Sequence, residues 1–116
     1  MKNEIYIQQL QCILSSIERF LGLEVVPEQV VLTKKHFEDQ LSGQFIHGDI
    51  DVFFGIGGSD MALLQMASSF AATNFMEFNE DAWDSICEMI NCINGAFANI
   101  LSEKNIEVSL HPPVFY

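Results

Sequence analysis

Residues 79–103, NEDAWDSICEMINCINGAFANILSE, predict one long amphipathic helix around which the other elements are expected to pack. Apolar side chains recur there at three- and four-residue steps, the spacing that places them on one face of an α-helix. They are Ala82 or Trp83, Ile86, Ile90, Ile93, Phe97 and Ile100 or Leu101. Asn79 precedes this pattern as the expected N-cap. The apolar face is therefore expected to be buried in the core.

The opposite face of this helix carries a second set of residues at the same steps. The set comprises Glu80, Asp84, Glu88, Asn91, Gly95 and Asn99. Its acids stand four residues apart, so each like-charged pair destabilises the helix by about 0.2–0.5 kcal/mol. Gly95 destabilises it by about 1 kcal/mol relative to Ala. Such unfavourable local choices indicate a face kept for function or for close packing, and they do not distinguish between the two.

The composition predicts a single folded domain over residues 1–116 without affinity for polyanions. Hydrophobic residues make up 49% of the chain, a fraction too high for a disordered segment. Sixteen acidic residues against five Lys and Arg give a formal net charge of -11. Nucleic acids and anionic membrane surfaces are both recognised through clustered Lys and Arg. The sequence therefore predicts neither nucleic acid nor a membrane as a partner.

The cysteines and the lack of a targeting pattern indicate a reducing compartment. Cys12, Cys87 and Cys92 are an odd number, and the last two point in different directions on the predicted helix. Disulfides are therefore not expected. The sequence shows no signal-peptide pattern and no apolar run of about 18 residues. We expect a cytoplasmic protein.

The first half of the chain predicts a helix, a strand and a hairpin. The helix spans residues 3–21, with Leu10 in its buried stripe and Gly22 as its C-cap. A short β-prone run follows at residues 29–33. Residues 40–47 and 49–56 then form two strands that meet at His47-Gly48-Asp49. Gly48 is expected to supply the positive φ of a tight turn.

The second half adds two helices and a strand. A helix over residues 59–73 begins at the N-cap Ser59 and is expected to bury Met61, Leu64, Met66 and Phe70. The helix of residues 79–103 follows, and a last strand covers residues 106–110 before Pro112-Pro113. The predicted fold class is α+β: an antiparallel β-sheet with two long helices packed on one face, plus an N-terminal helix.

Other motifs predict little chemistry. Gly55, Gly57 and Gly58 end the second hairpin strand, and a glycine-rich strand end can cradle phosphate. This one lacks the full dinucleotide fingerprint and a phosphate-loop Lys, so a small-ligand site here is only a weaker alternative. The His residues show no metal-ligand spacing. We therefore expect neither a metal nor a cofactor bound by this chain itself.

The segment DSICEMINCINGAFA, which starts at Asp84, resembles the signature of the CheC/CheX/FliY family of chemotaxis phosphatases. That signature is an Asp or Ser, three residues, Glu, two residues, Asn, and a small residue one turn on. Asp84, Glu88, Asn91 and Gly95 match it in turn. The order of hairpin, helix, signature helix and strand also fits over residues 37–116. Only one such motif is present, so the chain resembles CheX more than the two-motif CheC.

The resemblance implies a phosphatase that acts on a CheY-type response regulator. Glu88 would pair with the regulator's Lys and fix the docking pose, and Asn91 would aim a water at the aspartyl phosphate. Asp84 and Gly95 would belong to the partner-binding surface. The phosphoaspartate and its Mg²⁺ would belong to the regulator. Glu88 and Asn91 lie three residues apart, which agrees with this geometry because they project side by side from the helix.

The resemblance also implies a homodimer. A different function remains open, namely a non-catalytic CheX-like module that docks or dimerises without hydrolysing anything. Members of the family usually continue past the Pro-Val strand with further strands. The expectation is therefore either a truncated domain or a sheet edge completed by a partner chain.

Overall fold

The computed structural model describes residues 2–22, 24, 26 and 41–115. In this part of the chain the elements are α1 (Lys2–Leu21), β1 (Leu41–Gly48), β2 (Val52–Gly57), α2 (Asp60–Ala71), α3 (Glu80–Glu103), β3 (Val108–Leu110) and β4 (Val114–Phe115). The predicted strand at residues 29–33 lies outside the described residues. The predicted α+β class with an antiparallel sheet is confirmed.

Both predicted N-caps are confirmed, and they explain where α2 and α3 begin. Asn79 Oδ1 accepts a hydrogen bond from the Ala82 backbone N–H at 2.8 Å. Ser59 Oγ accepts one from the Ala62 N–H at 3.2 Å. Each cap satisfies a backbone donor that has no partner within its own helix, which is worth about 1 kcal/mol.

Left-handed residues end α1 and α2. Gly22 has φ 66° and donates its N–H to the Glu18 carbonyl at 2.9 Å, as expected of a C-cap glycine. Ala72 has φ 51°, and its N–H donates hydrogen bonds to the carbonyl oxygens of Ser68 and Ser69. Helix α2 therefore ends at Ala71, two residues before the predicted end.

The hairpin turn lies later than predicted. Strand β1 continues through Gly48 because Gly48 pairs with Val108 of β3, and the hairpin pairing with β2 begins at Ile46 and Val52. Gly48 has φ 154°, and a Cβ there would lie 2.5 Å from the Glu107 carbonyl oxygen. Glycine is thus favoured at this position by the predicted positive φ and, in addition, by the close approach of β3.

Strands β3 and β4 pair with the same side of β1, opposite β2. Ile46 pairs with Leu110 and Gly43 with Val114. A separation of three residues along β1 therefore matches one of four residues along the β3–β4 segment. The extra residue is a β-bulge at Pro112-Pro113, where neither residue has an N–H to give to the ladder. This bulge places the residue before it, His111, at a break in the pairing.

Helix α3 is the centre of the packing. It contacts β1, β2 and β3 on one side, and α1 and α2 also pack against it. Its buried residues are Ala82, Ile86, Met89, Ile90, Ile93, Asn94, Phe97 and Leu101. The predicted apolar stripe is confirmed, and it is widened by Met89 and Asn94. A polar Asn94 within this stripe was not expected.

Two predicted core positions are wrong. Met61 is 75% exposed, and Leu10 is also exposed. The helix faces that meet α3 include small residues beside larger ones such as Leu63, among them Ala67 on α2 and Cys12 on α1. The Cys12 thiol lies 3.8 Å from the Ile93 carbonyl oxygen on α3. Small residues let helix axes approach closely, which single-helix periodicity does not reveal. None of the helices in the described residues is long and apolar enough to cross a membrane.

Candidate functional site

The inner face of β1 lies directly under the predicted functional helix. Alternate residues of a strand point to opposite faces, and Ser42, Gln44 and Ile46 are the ones that point inward and are buried. Phe45 lies on the outer face and is exposed. Two of these three inward positions are polar, so the strand brings hydrogen-bonding groups to α3.

The inward side chains of β1 contact residues one helical turn apart on α3. Ser42 Oγ lies 3.8 Å from Cys87 Sγ, and Gln44 Nε2 lies 2.8 Å from Asn91 Oδ1. Two strand residues rise about 6.6 Å and four helix residues about 6 Å, so successive inward side chains reach successive turns of the helix. Asn91 is therefore held from beneath by the hairpin.

Asn91 has one end of its carboxamide anchored. Its Oδ1 accepts the hydrogen bond from Gln44, and the side chain is half-buried. Within the described part of the chain, Asn91 Nδ2 has no hydrogen-bond partner. An amide can donate and accept hydrogen bonds without a change of charge, so this free end suits the binding of water.

Glu88 is exposed one turn before Asn91. Its carboxylate accepts a weak hydrogen bond from the Cys92 thiol at 3.6 Å, and no described Lys or Arg side chain pairs with it. Burial raises the pKa of the Cys92 thiol, and the charge of Glu88 raises it further. The thiol therefore remains a neutral donor near pH 7, and the Glu88 carboxylate keeps capacity for a cation from outside.

Asp84 and Gly95 stand at the two ends of this surface. Asp84 is exposed. Burial raises the pKa of the nearby Cys87 thiol, the hydrogen bond with the Ser42 hydroxyl opposes that rise, and the charge of Asp84 adds a smaller rise. Gly95 has open space beside it, since a Cβ at this position would meet no atom within 4 Å. Close packing inside the described chain therefore does not explain why residue 95 is glycine.

Two residues of this site were missed by the sequence analysis. Gln44 and Asn94 are each 1% exposed, and Asn94 Nδ2 donates to Gln44 Oε1 at 2.7 Å. The available signal was the polar Asn94 one position after Ile93 in the buried stripe. Gln44 carried no such signal, because strand parity alone does not decide whether Gln44 or Phe45 faces inward.

A groove of about 390 Å³ lies elsewhere, between α1 and α3. It is lined by Gln8, Gln11, Cys12, Ser15, Ser16, Arg19, Ala96 and Ile100. None of Asp84, Glu88, Asn91 and Gly95 lines it. The candidate site is thus a polar outer face of the central helix and lies outside this groove.

These features define a class: an α+β domain whose central helix carries an anchored carboxamide and an unpaired exposed carboxylate on its outer face. The family comparison makes the assignment specific. The family model described as chemotaxis phosphatase CheX matches residues 44–116, more than half of the chain. The protein therefore belongs to the CheX family. No curated protein matches the chain significantly.

Solved structures share the fold at low sequence identity. The chemotaxis protein CheX from Desulfovibrio desulfuricans is similar with a TM-score of 0.82 and 16% identity, over 97% of this chain and 77% of that one. A CheC-like superfamily protein from Shewanella sp. PV-4 has a TM-score of 0.84 and 18% identity, over 100% and 77%. A chain of the CheX–CheY–BeF3–Mg²⁺ complex from Borrelia burgdorferi has a TM-score of 0.70 and 19% identity, over 95% and 74%.

Proposed function

We propose that this protein is a phosphatase that hydrolyses the aspartyl phosphate of a CheY-type response regulator. A water oxygen attacks phosphorus, and the bond between phosphorus and the aspartyl oxygen breaks. The electron pair of that bond returns to the aspartate carboxylate, and the water oxygen leaves with both of its protons in dihydrogen phosphate. Little covalent chemistry falls to the protein, so its contribution is to position the water and the regulator.

The observation that carries this proposal is the half-anchored carboxamide of Asn91. Its Oδ1 accepts a hydrogen bond from Gln44 Nε2 at 2.8 Å, while its Nδ2 has no hydrogen-bond partner among the residues that the structure describes. In the proposed complex this side chain binds the attacking water and aims it in line with the scissile bond. A side chain that is already fixed loses less conformational entropy when it does so.

Glu88 supplies the docking contact in this proposal. Its exposed carboxylate pairs with the Lys beside the regulator's phosphorylation site, and Asp84 adds negative charge on the same side. Gly95, which has open space beside it, lets the backbone of the regulator come close to α3. The three residues would therefore orient the regulator so that Asn91 reaches the phosphoryl group.

The Mg²⁺ of the reaction is assigned to the regulator. The Borrelia burgdorferi structure is a complex of CheX, CheY, BeF3 and Mg²⁺, which supports a CheY-type partner and a metal that acts in the complex. Among the residues described, no group of three or more His, Cys, Asp or Glu side chains could hold a metal ion. The chain is therefore proposed to act without a cofactor of its own.

The test is the lifetime of a phosphorylated CheY-type receiver. The wild-type protein should shorten it, and Asn91→Ala should slow phosphate release by about a hundredfold, the scale of losing a positioned reactant. Glu88→Ala should act mainly on KM. Asn99→Ala is the matched control, because Asn99 is an exposed asparagine on the same helix. Wild-type rates in both site variants would contradict the mechanism.

A second candidate function is a module that docks or self-associates without hydrolysis. The outer face of the sheet favours it, because Phe45 is 52% exposed and Val114 is 42% exposed, beside the partly exposed Phe53. Exposed apolar side chains of this kind mark association surfaces. The candidate predicts a homodimer, or regulator binding with no faster loss of phosphate. A monomeric mass in light scattering at micromolar concentration would contradict the homodimer.

A further inference from the structure

A hydrogen-bonded relay of three side-chain amides links the buried Asn94 and Gln44 to Asn91, the proposed water-binding residue. Asn94 Nδ2 donates to Gln44 Oε1 at 2.7 Å, and Gln44 Nε2 donates to Asn91 Oδ1 at 2.8 Å. The same Gln44 Nε2 donates to the His111 backbone carbonyl at 2.7 Å. Gln44 therefore uses both of its donor hydrogens and its oxygen, and it is the only member of the relay that contacts the other three residues.

The His111 carbonyl determines which end of each amide in this relay donates and which accepts. A backbone carbonyl can only accept, so the end of Gln44 that faces it must be the NH₂ group. The carbonyl itself is placed by the sheet, because the His111 N–H donates to Phe45 O at 2.9 Å. With Nε2 fixed there, its second hydrogen reaches Asn91 and requires an acceptor. Asn91 must then turn its oxygen inward and its Nδ2 away from Gln44.

The relay lowers the stability of the fold, which an apolar core at the same positions would not do. Asn94 Oδ1 is buried and has no hydrogen-bond partner among the described residues, and such an atom destabilises a fold by about 1–3 kcal/mol. Apolar residues at positions 44 and 94 would remove that cost. Half-satisfied polar networks are expected where function requires them.

We propose that Gln44 is a positioning residue for the phosphatase reaction, which holds Asn91 so that its Nδ2 end faces the regulator. This inference rests on the proposed function. Asn91 Nδ2 then donates a hydrogen bond toward the attacking water or the phosphoryl oxygens, and the second lone pair of Oδ1 stays able to accept from the water. Without Gln44 the carboxamide rotates, and the water loses its fixed direction.

Two variants separate positioning from stability. Gln44→Met keeps the length of the side chain and removes both donors. Gln44→Glu keeps an acceptor for Asn94 but offers Asn91 an acceptor where it needs a donor, so Asn91 would turn Nδ2 inward. Both should lower kcat by about tenfold or more, with the Kd for the regulator unchanged within about twofold. Ile46→Val is the control, since Ile46 is buried on the same face of β1 and its side chain has no hydrogen-bonding group.

A spectroscopic readout makes the test independent of activity. In the wild-type protein the Gln44 Nε2 hydrogens should exchange slowly with deuterated solvent, because both are bonded within a buried side chain. The Asn91 Nδ2 group should show a rigid ¹⁵N heteronuclear NOE that falls in Gln44→Met and stays unchanged in Ile46→Val. Rapid exchange at Gln44 in the wild-type protein would overturn the proposal even if the variants failed to fold.

The two proposals fail differently. If the wild-type protein leaves the lifetime of the phosphorylated receiver as long as it is without the protein, the phosphatase assignment is wrong, while the NMR readout still decides whether Gln44 fixes Asn91. If the wild-type protein is active and Asn91→Ala is not, but Gln44→Met keeps the wild-type kcat and the wild-type NOE at Asn91, the positioning role is wrong and the phosphatase assignment stands.

Discussion

Gln44 on β1 and Asn91 on α3 are 47 residues apart in sequence, yet Gln44 Nε2 lies 2.8 Å from Asn91 Oδ1. The proposed water-binding residue is therefore held by the sheet as well as by its own helix. A change in β1 is therefore expected to alter the orientation of Asn91 without changing the exposed residues of α3.

Reversal of the charge at Glu88 should weaken regulator binding. Glu88→Lys replaces the proposed ion pair with a repulsion, and a loss of about tenfold or more in Kd corresponds to at least 1.4 kcal/mol. Titration by fluorescence anisotropy at low and high salt would measure it, and the loss should shrink as salt screens the charges. Glu80→Lys makes the same change of net charge from an exposed position at the start of α3. Equal losses in both variants would indicate a general charge effect instead of a docking contact.

A methyl group at position 95 should have opposite effects on folding and on binding. Gly95→Ala should stabilise the free protein by about 1 kcal/mol, because a Cβ there meets no atom within 4 Å and alanine favours the helix. It should weaken binding if the regulator's backbone lies against Gly95. Urea unfolding and the Kd of the same variant would measure the two effects. Asn99→Ala should also favour the helix but leave binding unchanged, and unaltered affinity in Gly95→Ala would remove Gly95 from the contact surface.

The approach of β3 to β1 should make Gly48 irreplaceable. A Cβ at Gly48 would lie 2.5 Å from Glu107 O and 2.8 Å from Val108 Cα, both backbone atoms that cannot move aside cheaply. Together with the positive φ, this should destabilise Gly48→Ala by about 1–3 kcal/mol. Gly58→Ala is the comparison, because its Cβ would only touch Ala62 Cβ at 4.0 Å. Similar unfolding midpoints for the two variants would contradict this account of Gly48.

The buried thiol of Cys12 predicts a loss of stability at high pH. Burial raises its pKa above the ordinary value of 9.0, against a smaller opposing effect of the Ser16 hydrogen bond. Well below pH 9.0 the thiol is protonated in both the folded and the unfolded state, so its full contribution to the free energy of unfolding is present. Above that pH the unfolded chain loses the proton first, and the free energy of unfolding falls until the pH passes the folded pKa. Urea unfolding at pH 7.5 and 9.5 should show a smaller decline for Cys12→Ser than for the wild type, and equal declines would contradict the prediction.

Local patterns in the sequence were enough to predict the three helices and the outer face of α3. Periodicity located α3 and its apolar stripe, and Asn79 and Ser59 marked the starts of two helices, because caps and helix faces depend on residues within one or two turns. The same local spacing placed Glu88, Asn91 and Gly95 on one surface. The resemblance to the CheC/CheX/FliY family rested on those residues, and the match to the CheX family confirmed it.

The residues that lie beneath that surface are set by tertiary packing, which local patterns in the sequence do not reveal. Strand parity left Gln44 and Phe45 equally able to face inward, and the choice was made by the packing of β1 on α3 and by the bulge that places the His111 carbonyl. The same packing put Asn94 in the core, left Met61 and Leu10 exposed, and moved the hairpin turn past Gly48. These outcomes depend on contacts between residues far apart in sequence, where the energies of neighbouring elements outweigh local preference. The orientation of the Asn91 carboxamide is one of them.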